Sequence, residues 1–290
     1  MSFRTPVNPL YSQPSNLLNR NHNHQNDSQP TNISPPPSDA RPQDPPIPGK
    51  EYYPNQPKSL AGIALRAFLL GTTFTLGLLS LTLLLLTTSS PLWRLPFFLS
   101  ALSLFHFLEF YTTAAYNTPQ ATVHAYLLTA NWPAYAIAHA TAFLECLVTN
   151  LVFPATSSSS VWAPFGLRPL FLLTGLLLVG VGQTVRSAAM VTAGQSFNHT
   201  IQHYRAESHT LVTGGVYAYF RHPSYFGFFW WAIGTQLVMG NVVSLVAYAV
   251  VLWYFFSKRI RHEEELLVRF FGRDYEDYRK RVGTMIPFCG

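Results

Sequence analysis

From Leu60 onward the apolar residues come in runs too long and too uniform for the stripe of a soluble helix, with polar residues marking the breaks. About twenty consecutive apolar residues cross a bilayer core as a helix. The pattern predicts a first span over about Leu60 to Thr88, centred on the run Leu81-Thr82-Leu83-Leu84-Leu85-Leu86. A turn at Pro91 to Pro96 leads to a second span over about Phe97 to Tyr116. A third, about Ala121 to Phe153, is long enough to tilt, and Pro133 gives it a reason to kink. After a Ser-rich connector, Ser157 to Ser160, a fourth span covers about Arg168 to Val191, where Gly175, Gly180 and Gly182 allow another helix to approach closely. Two shorter apolar segments, about Tyr225 to Met239 and Val242 to Phe256, are separated only by Gly240-Asn241 and read as a helical hairpin. The expected fold is an all-α integral membrane protein with about six membrane segments, the last two forming that hairpin.

The polar segments divide the rest of the chain. Residues 1–57 are rich in Pro, Asn, Ser and Gln and lack apolar periodicity, which reads as a disordered cytosolic tail. No apolar h-region follows Met1, so a cleaved signal peptide is not expected. Residues 58–194 hold the first four spans, and residues 195–290 a more polar region built around the hairpin. Within that region the stretch from Ser257 to Gly290 returns to water. Its run R-I-R-H-E-E-E-L-L-V-R-F-F predicts a helix leaving the membrane, with Leu266, Leu267, Phe270 and Phe271 as its apolar stripe and Gly272 as its stop. The run D-Y-E-D-Y-R-K-R predicts a second short helix before Gly283.

Charge adds orientation. The formal net charge is +6, and Lys and Arg collect before the first span, after the fourth and after the sixth. An even number of spans with those flanks puts both termini and the polar region on the cytosolic side. A basic chain also raises nucleic acid as a partner, but no basic stripe interleaved with stacking residues lies on a soluble domain, so none is expected. Two cysteines, Cys146 and Cys289, give neither a disulfide framework nor a zinc pattern.

Candidate chemistry concentrates between Gln202 and Tyr225, where His203, His209, His222, Tyr217, Tyr219, Tyr225, Arg205 and Arg221 crowd a stretch broken by Gly214, Gly215 and Pro223. Functional groups on a loop held by rigid apolar elements mark a site, against the plain alternative of a solvated turn. His199 and His203 are four apart, but no acid or cysteine at ligand spacing completes a metal set, and no metal is expected. Glu109 in the second span is either functional or a hydrogen-bond acceptor for a neighbouring helix. Arg259 and Glu263, four apart on a predicted helix, share a face just outside the membrane. They are a carboxylate clamp beside an acid that can hold a ribose or an amine, or else an ordinary surface ion pair.

The stretch His209-Thr-Leu-Val-Thr-Gly-Gly-Val-Tyr217, the stretch Phe220-Arg-His-Pro-Ser-Tyr-Phe-Gly227, the hairpin with Ile233-Gly-Thr-Gln236 and the glutamate-rich ending through Ile286-Pro-Phe288 closely resemble the isoprenylcysteine carboxyl methyltransferases. The resemblance is dense from about Asn198 to Phe288 and looser before. It implies an integral membrane enzyme of the endoplasmic reticulum, with its active site facing the cytosol. Such an enzyme moves a methyl group from S-adenosylmethionine to the C-terminal carboxylate of a farnesyl- or geranylgeranyl-cysteine on CaaX-processed proteins. It also implies that residues 195–290 form a cytosolic cofactor-binding region. There Gln202, His209, Thr210, Leu211, Val212, Tyr217, His222, Pro223, Ser224 and Tyr225 would line the cofactor pocket, Glu263 would close its far side, and Arg259 would face the substrate carboxylate. The sequence around Arg259 and Arg261 is more basic than the family's acidic run, and Arg259 is the better match because it lies one turn before Glu263. The alternatives are a phospholipid N-methyltransferase, a nicotinamide-dependent sterol reductase and a non-enzymatic membrane scaffold whose polar stretch holds a partner.

Overall fold

A computed structural model describes residues 49–152, 168–205 and 209–289. The first 48 residues of the proposed tail lie outside these, as does the Ser-rich connector. Residues 50–52 form a short 3-10 turn, and Pro57 accepts a backbone hydrogen bond from Val123 at 2.7 Å.

Eight α-helices carry the described chain: α1 (Leu60–Thr87), α2 (Arg94–Tyr116), α3 (Leu127–Ala130), α4 (Ala134–Val152), α5 (Arg168–Ala193), α6 (Pro223–Met239), α7 (Val243–Phe271) and α8 (Arg273–Arg281). Two of these helices start or stop for a plain local reason. The Ser59 hydroxyl caps α1 by accepting from the Gly62 amide at 3.1 Å. Pro223 occupies the first turn of α6, where a missing N–H costs nothing, and Gly240 ends that helix at φ 71°.

Among the described residues five helical segments are long and apolar enough to cross a membrane, ending on α7. The first is the plainest case. Only 6% of its apolar window is buried, and Phe68, Leu69, Leu79, Leu83 and Leu86 stand exposed on it. A helix this apolar and this bare has lipid as its solvent, so the chain is a multi-pass membrane protein. The first half of the expected hairpin, α6, is not among these five: it is 17 residues long, and most of it is buried inside the bundle.

Its tight partner is α5. A Cβ placed on Gly175 would lie 2.9 Å from the Gly234 carbonyl oxygen, and one on Gly182 would lie 2.6 Å from that of Gly227. Two glycines seven residues apart on each antiparallel helix thus let the backbones touch. Gly180 faces open space. Beside this pair Phe105 of α2, Phe228 and Trp231 of α6, and Phe256 and Ile260 of α7 form the main core. Ile286 and Cys289 join it as the C-terminal segment folds back.

The structure differs from the sequence reading in two places. The third span does not begin at Ala121: 3-10 turns and α3 occupy that stretch, and the spanning helix starts at Ala134. Pro133, joined to Trp132 by a cis peptide bond, precedes that helix instead of kinking it. The last span and the helix expected beyond it are one continuous element, α7, of 29 residues. At 1.5 Å per residue it measures about 43 Å, about 13 Å more than the roughly 30 Å hydrocarbon core, so about a third of it exceeds what one crossing needs. The run Ser257-Lys258-Arg259 has ordinary helix propensity and no breaker, so nothing interrupts the helix.

At the opposite end the α6–α7 turn is pinned by α4. Glu145 accepts from the amides of Val242, Val243 and Ser244 at 2.7, 2.8 and 2.7 Å, capping α7 from a neighbouring helix. Asn241 donates to Ala142 O at 2.9 Å and to Gln236 Oε1 at 2.8 Å. That turn fixes the hairpin, and with it the register of the charged second half of α7 against the start of α6.

Candidate active site

The start of α6, the second half of α7, α8 and the segment after α5 enclose two adjoining cavities. The polar one is walled by residues 196–198, by Thr210, Leu211 and Val212, by His222 to Tyr225, and by Glu263 on α7. Tyr275 and Tyr278 of α8 roof it. A smaller lobe extends past His209 and Glu263 to Gln202. The apolar cavity, of about 420 Å³, lies between the starts of α4 and α6 and the middle of α7, with Tyr135, Phe228, Leu252 and Phe255 on its walls and Arg259 at its rim. Its volume is in the range of ligand-binding clefts.

All twelve residues singled out from the sequence line one or other of these spaces: Arg259 the apolar cavity, Gln202 the lobe, the rest the polar cavity. Their individual surroundings differ. Thr210 is tied to Ser196 through its amide, 3.2 Å from Ser196 Oγ. The Gln202 amide turns back onto the Thr200 carbonyl at 3.0 Å. His222 faces Glu264 at 3.1 Å and stacks on Tyr225 with ring centroids 5.4 Å apart. Ser224 accepts from Arg186 through both its hydroxyl and its carbonyl at 3.0 Å. Tyr217 takes a 2.6 Å hydrogen bond from the Tyr278 hydroxyl at its carbonyl, which clips α8 over the pocket. Arg221 secures the same clip: it pairs with Glu264 at 2.6 Å and donates to the Arg279 and Val282 carbonyls at the end of α8.

Arg259 and Glu263 are linked through the Tyr225 hydroxyl, which accepts from Arg259 Nε at 2.8 Å and donates to Glu263 Oε2 at 2.5 Å. Arg259 Nη2 also donates to the His199 carbonyl at 2.6 Å. Two fixed partners hold the guanidinium side-on and leave its end, with the remaining Nη hydrogens, for a carboxylate in the cavity. Arg261, the other basic residue of that run, is exposed.

Three groups beneath this site were less legible. Arg186 of α5 forms a bidentate ion pair with Glu109 of α2, one arm at 2.6 Å, and both are buried. With Ser224 on its other side, Arg186 joins α2, α5 and α6 and has its donors satisfied; in the sequence it showed only as a flanking positive charge. Glu109, for which two readings stood open, is the acceptor in this pair. His199 is held by the Thr113 hydroxyl at 3.2 Å and lies 3.7 Å from Glu109. It faces this network, while His203 lies against His262. Among the described residues no cluster of three metal-ligating side chains exists.

The electrostatics favour neutral histidines. Burial holds the His199 imidazole below its ordinary range, with Arg186 and Arg259 acting the same way and Glu109 opposing. Burial likewise lowers His209, aided by Arg205 and opposed by Glu263. Burial pushes the Tyr217 phenol up, and that of Tyr278 to about 12. The polar cavity therefore presents the His209 ring in its neutral form, tyrosine and phenylalanine rings and the Glu263 carboxylate, with Arg221 in its wall already paired to Glu264, a setting that suits a cationic or zwitterionic ligand with an aromatic part.

Residues 174–269 match the model of the isoprenylcysteine carboxyl methyltransferase (ICMT) family. The chain is 48% identical over 191 residues to the protein-S-isoprenylcysteine O-methyltransferase of Saccharomyces cerevisiae, covering 66% of this chain and 78% of that protein. It is 41% identical to the Homo sapiens protein of the same name over 78% of this chain and 74% of that one. A solved structure of a eukaryotic intramembrane Ras methyltransferase, ICMT, superposes with a TM-score of 0.69 at 35% identity, covering 82% of this chain and 80% of that chain.

Proposed function

The chain belongs to the isoprenylcysteine carboxyl methyltransferase family, and from that premise we infer how its two cavities divide the work. The protein is a protein-S-isoprenylcysteine O-methyltransferase: it methylates the C-terminal carboxylate of a prenylated cysteine. The phospholipid N-methyltransferase and scaffold alternatives have no support among these relatives. An amine acceptor, moreover, would not call for an arginine opposite it.

The observation that carries the division of labour is the contact of a polar, cytosol-type cavity with an apolar, lipid-type one at the Arg259–Tyr225–Glu263 link. S-adenosylmethionine fits the polar side and, when bound, supplies a methyl group on a positively charged sulfur. Its purine and ribose would lie among Leu211, Val212, Tyr217 and the His222–Tyr225 turn, and its charged end near Glu263 and Gln202. The prenyl chain fits the apolar side, among Tyr135, Phe228, Leu252 and Phe255.

The chain's residues then have limited tasks. A cysteine α-carboxyl has a pKa of roughly 3.5 and is already ionised near neutral pH, so no residue has to act as a base. The carboxylate oxygen forms a bond to the methyl carbon as the carbon–sulfur bond breaks, and that bond's electron pair stays on sulfur. Two opposite charges disappear together, which favours a site that keeps water out. Arg259, held by Tyr225 and the His199 carbonyl, fixes the carboxylate at the junction, and Glu263 holds the donor side in register through the same hydroxyl. An arginine already tied on two edges aims the anion without gripping it so hard that the ground state is over-stabilised.

The substrate explains the setting. A prenyl chain partitions into bilayer while the methyl donor is cytosolic, so the reaction belongs at the interface. We place the protein in the endoplasmic reticulum membrane, crossing it with α6 as a sixth, short segment and presenting the polar cavity to the cytosol. Arg259→Ala tests the assignment: ester formation should fall by about 100-fold or more, as for loss of a desolvated charge partner, with S-adenosylmethionine affinity within about threefold of the parent. Retained activity in that variant would remove Arg259 from the substrate site.

A further inference from the structure

Four residues line both the polar and the apolar cavity: Phe197, Asn198, Ser224 and Tyr225. The reacting atoms meet where the cavities touch, so these four surround them. Phe197 has no polar side-chain atom. The Ser224 hydroxyl is held by Arg186, and the Tyr225 hydroxyl by Arg259 and Glu263. The Asn198 amide alone of these makes no hydrogen bond to the protein among the described residues. Asn198 is also the one residue shared by the polar cavity, its small lobe and the apolar cavity.

Its backbone is fixed from both sides. Asn117 of α2 donates to the Phe197 carbonyl at 2.8 Å, and Arg259 donates to the His199 carbonyl at 2.6 Å. The His199 ring, at the wall of the apolar cavity, is engaged by Thr113 and lies near Glu109. A backbone fixed on both sides confines the unpartnered Asn198 amide to the cavity junction that Arg259 also lines, which lowers the entropic cost of its donating there.

We propose that Asn198 is a further substrate-contacting residue of this reaction, its side-chain N–H donating to the prenylcysteine carboxylate beside Arg259. A carboxylate offers about four lone-pair sites. Arg259 and Asn198 together fix the plane of the group and leave one lone pair of the attacking oxygen directed at the methyl carbon. A neutral donor does this without adding a second positive charge, which would quench the nucleophile. The inference rests on the methyl-transfer reading above and adds a second holder of the acceptor.

The test compares Asn198→Asp and Asn198→Ala in the full-length protein, using the isosteric acid to reverse the polarity of the contact. Binding of N-acetyl-farnesylcysteine and of its carboxamide is measured alongside ester formation and S-adenosylmethionine affinity. Asn198→Asp should weaken binding of the acid, and its kcat/KM, by about 100-fold, since like charges face each other, while the carboxamide binds within about threefold of the parent. Affinity for the cationic methyl donor should hold or rise, which also reports an intact fold. Asn198→Ala should lose about tenfold or more in kcat/KM, the low end for one hydrogen bond to a charged group. Equal effects on acid and carboxamide, or a parallel loss of methyl-donor affinity, would overturn the assignment. A parent protein that binds the acid but forms no ester would instead overturn the methyl-transfer reading, with the binding comparison still deciding Asn198.

Discussion

At the scale of single residues the site works by restraining arginines. Arg259 is held on two edges by Tyr225 and the His199 carbonyl, and Arg186 is satisfied by Glu109 and Ser224. One presents a free end to the cavity; the other braces the floor. The histidines beside them are kept neutral, and this has a consequence for pH. An unfolded histidine titrates near 6.5, whereas burial lowers His209 and His199 below that. Above about pH 6.5 neither state is protonated and nothing is lost. As pH falls below it the unfolded chain takes up protons that the folded chain does not, and stability declines until the lowered pKa is reached. The melting temperature in detergent should therefore be level from pH 8 to 7 and fall below about 6.5, less steeply in His209→Asn; a rise over that range would contradict the assignment. The residues of the motif region were legible because chemistry dictates their type. Arg186 and Asn198 were not, since a lone charge beside an apolar run and a lone amide carry no spacing signal until α2 and α7 are brought against them; His199 stood out only as one of two histidines four apart, a spacing that says nothing of its contact with α2.

At the scale of elements, the glycine contact between α5 and α6 positions everything above it. Gly182 and Gly227 leave no room for a side chain, and one turn later Arg186 reaches Ser224 at the head of α6. Gly182→Leu should destabilise the fold by about 3 kcal/mol or more, because the facing group is backbone and cannot yield. Gly180→Leu, on open space, should change the melting temperature by no more than a degree or two. Equal effects of the two substitutions would mean that the helices do not meet at Gly182. The sequence marked these glycines for close packing but not which of the three faced the partner; that depends on rotation about α5, which tertiary contacts set. The α6–α7 hairpin was legible from two apolar runs around Gly240-Asn241. The continuity of α7 was not, because a change from apolar to charged residues marks where a helix leaves lipid, not where it ends. The start of α4 was misplaced for the converse reason: Ala121 to Asn131 continues the apolar run, but its turns bury Ala125 and set Tyr126 against Ile63 of α1 and Phe110 of α2.

At the scale of the whole molecule the fold sets a lipid-type cavity against a cytosol-type one and lets them share a wall of four residues. The order of the chain suits this: bare spans come first, and the part that holds the polar site comes last, where the charged second half of α7 gives α8 a surface to fold against. Arg221 and Tyr278 clip α8 in place, so the roof of the polar cavity depends on the same segment that carries the His222–Tyr225 turn. A methyl acceptor without a prenyl chain would fill only the polar rim and gain nothing from Phe228, Leu252 and Phe255. The most direct test gives membranes containing this protein labelled S-adenosylmethionine with N-acetyl-farnesylcysteine, and in parallel with the unprenylated cysteine analogue. Base-labile label on the prenylated compound alone is the expected result, whereas label on both equally, or on endogenous lipid instead, would contradict a reaction assembled between a lipid cavity and a cofactor cavity.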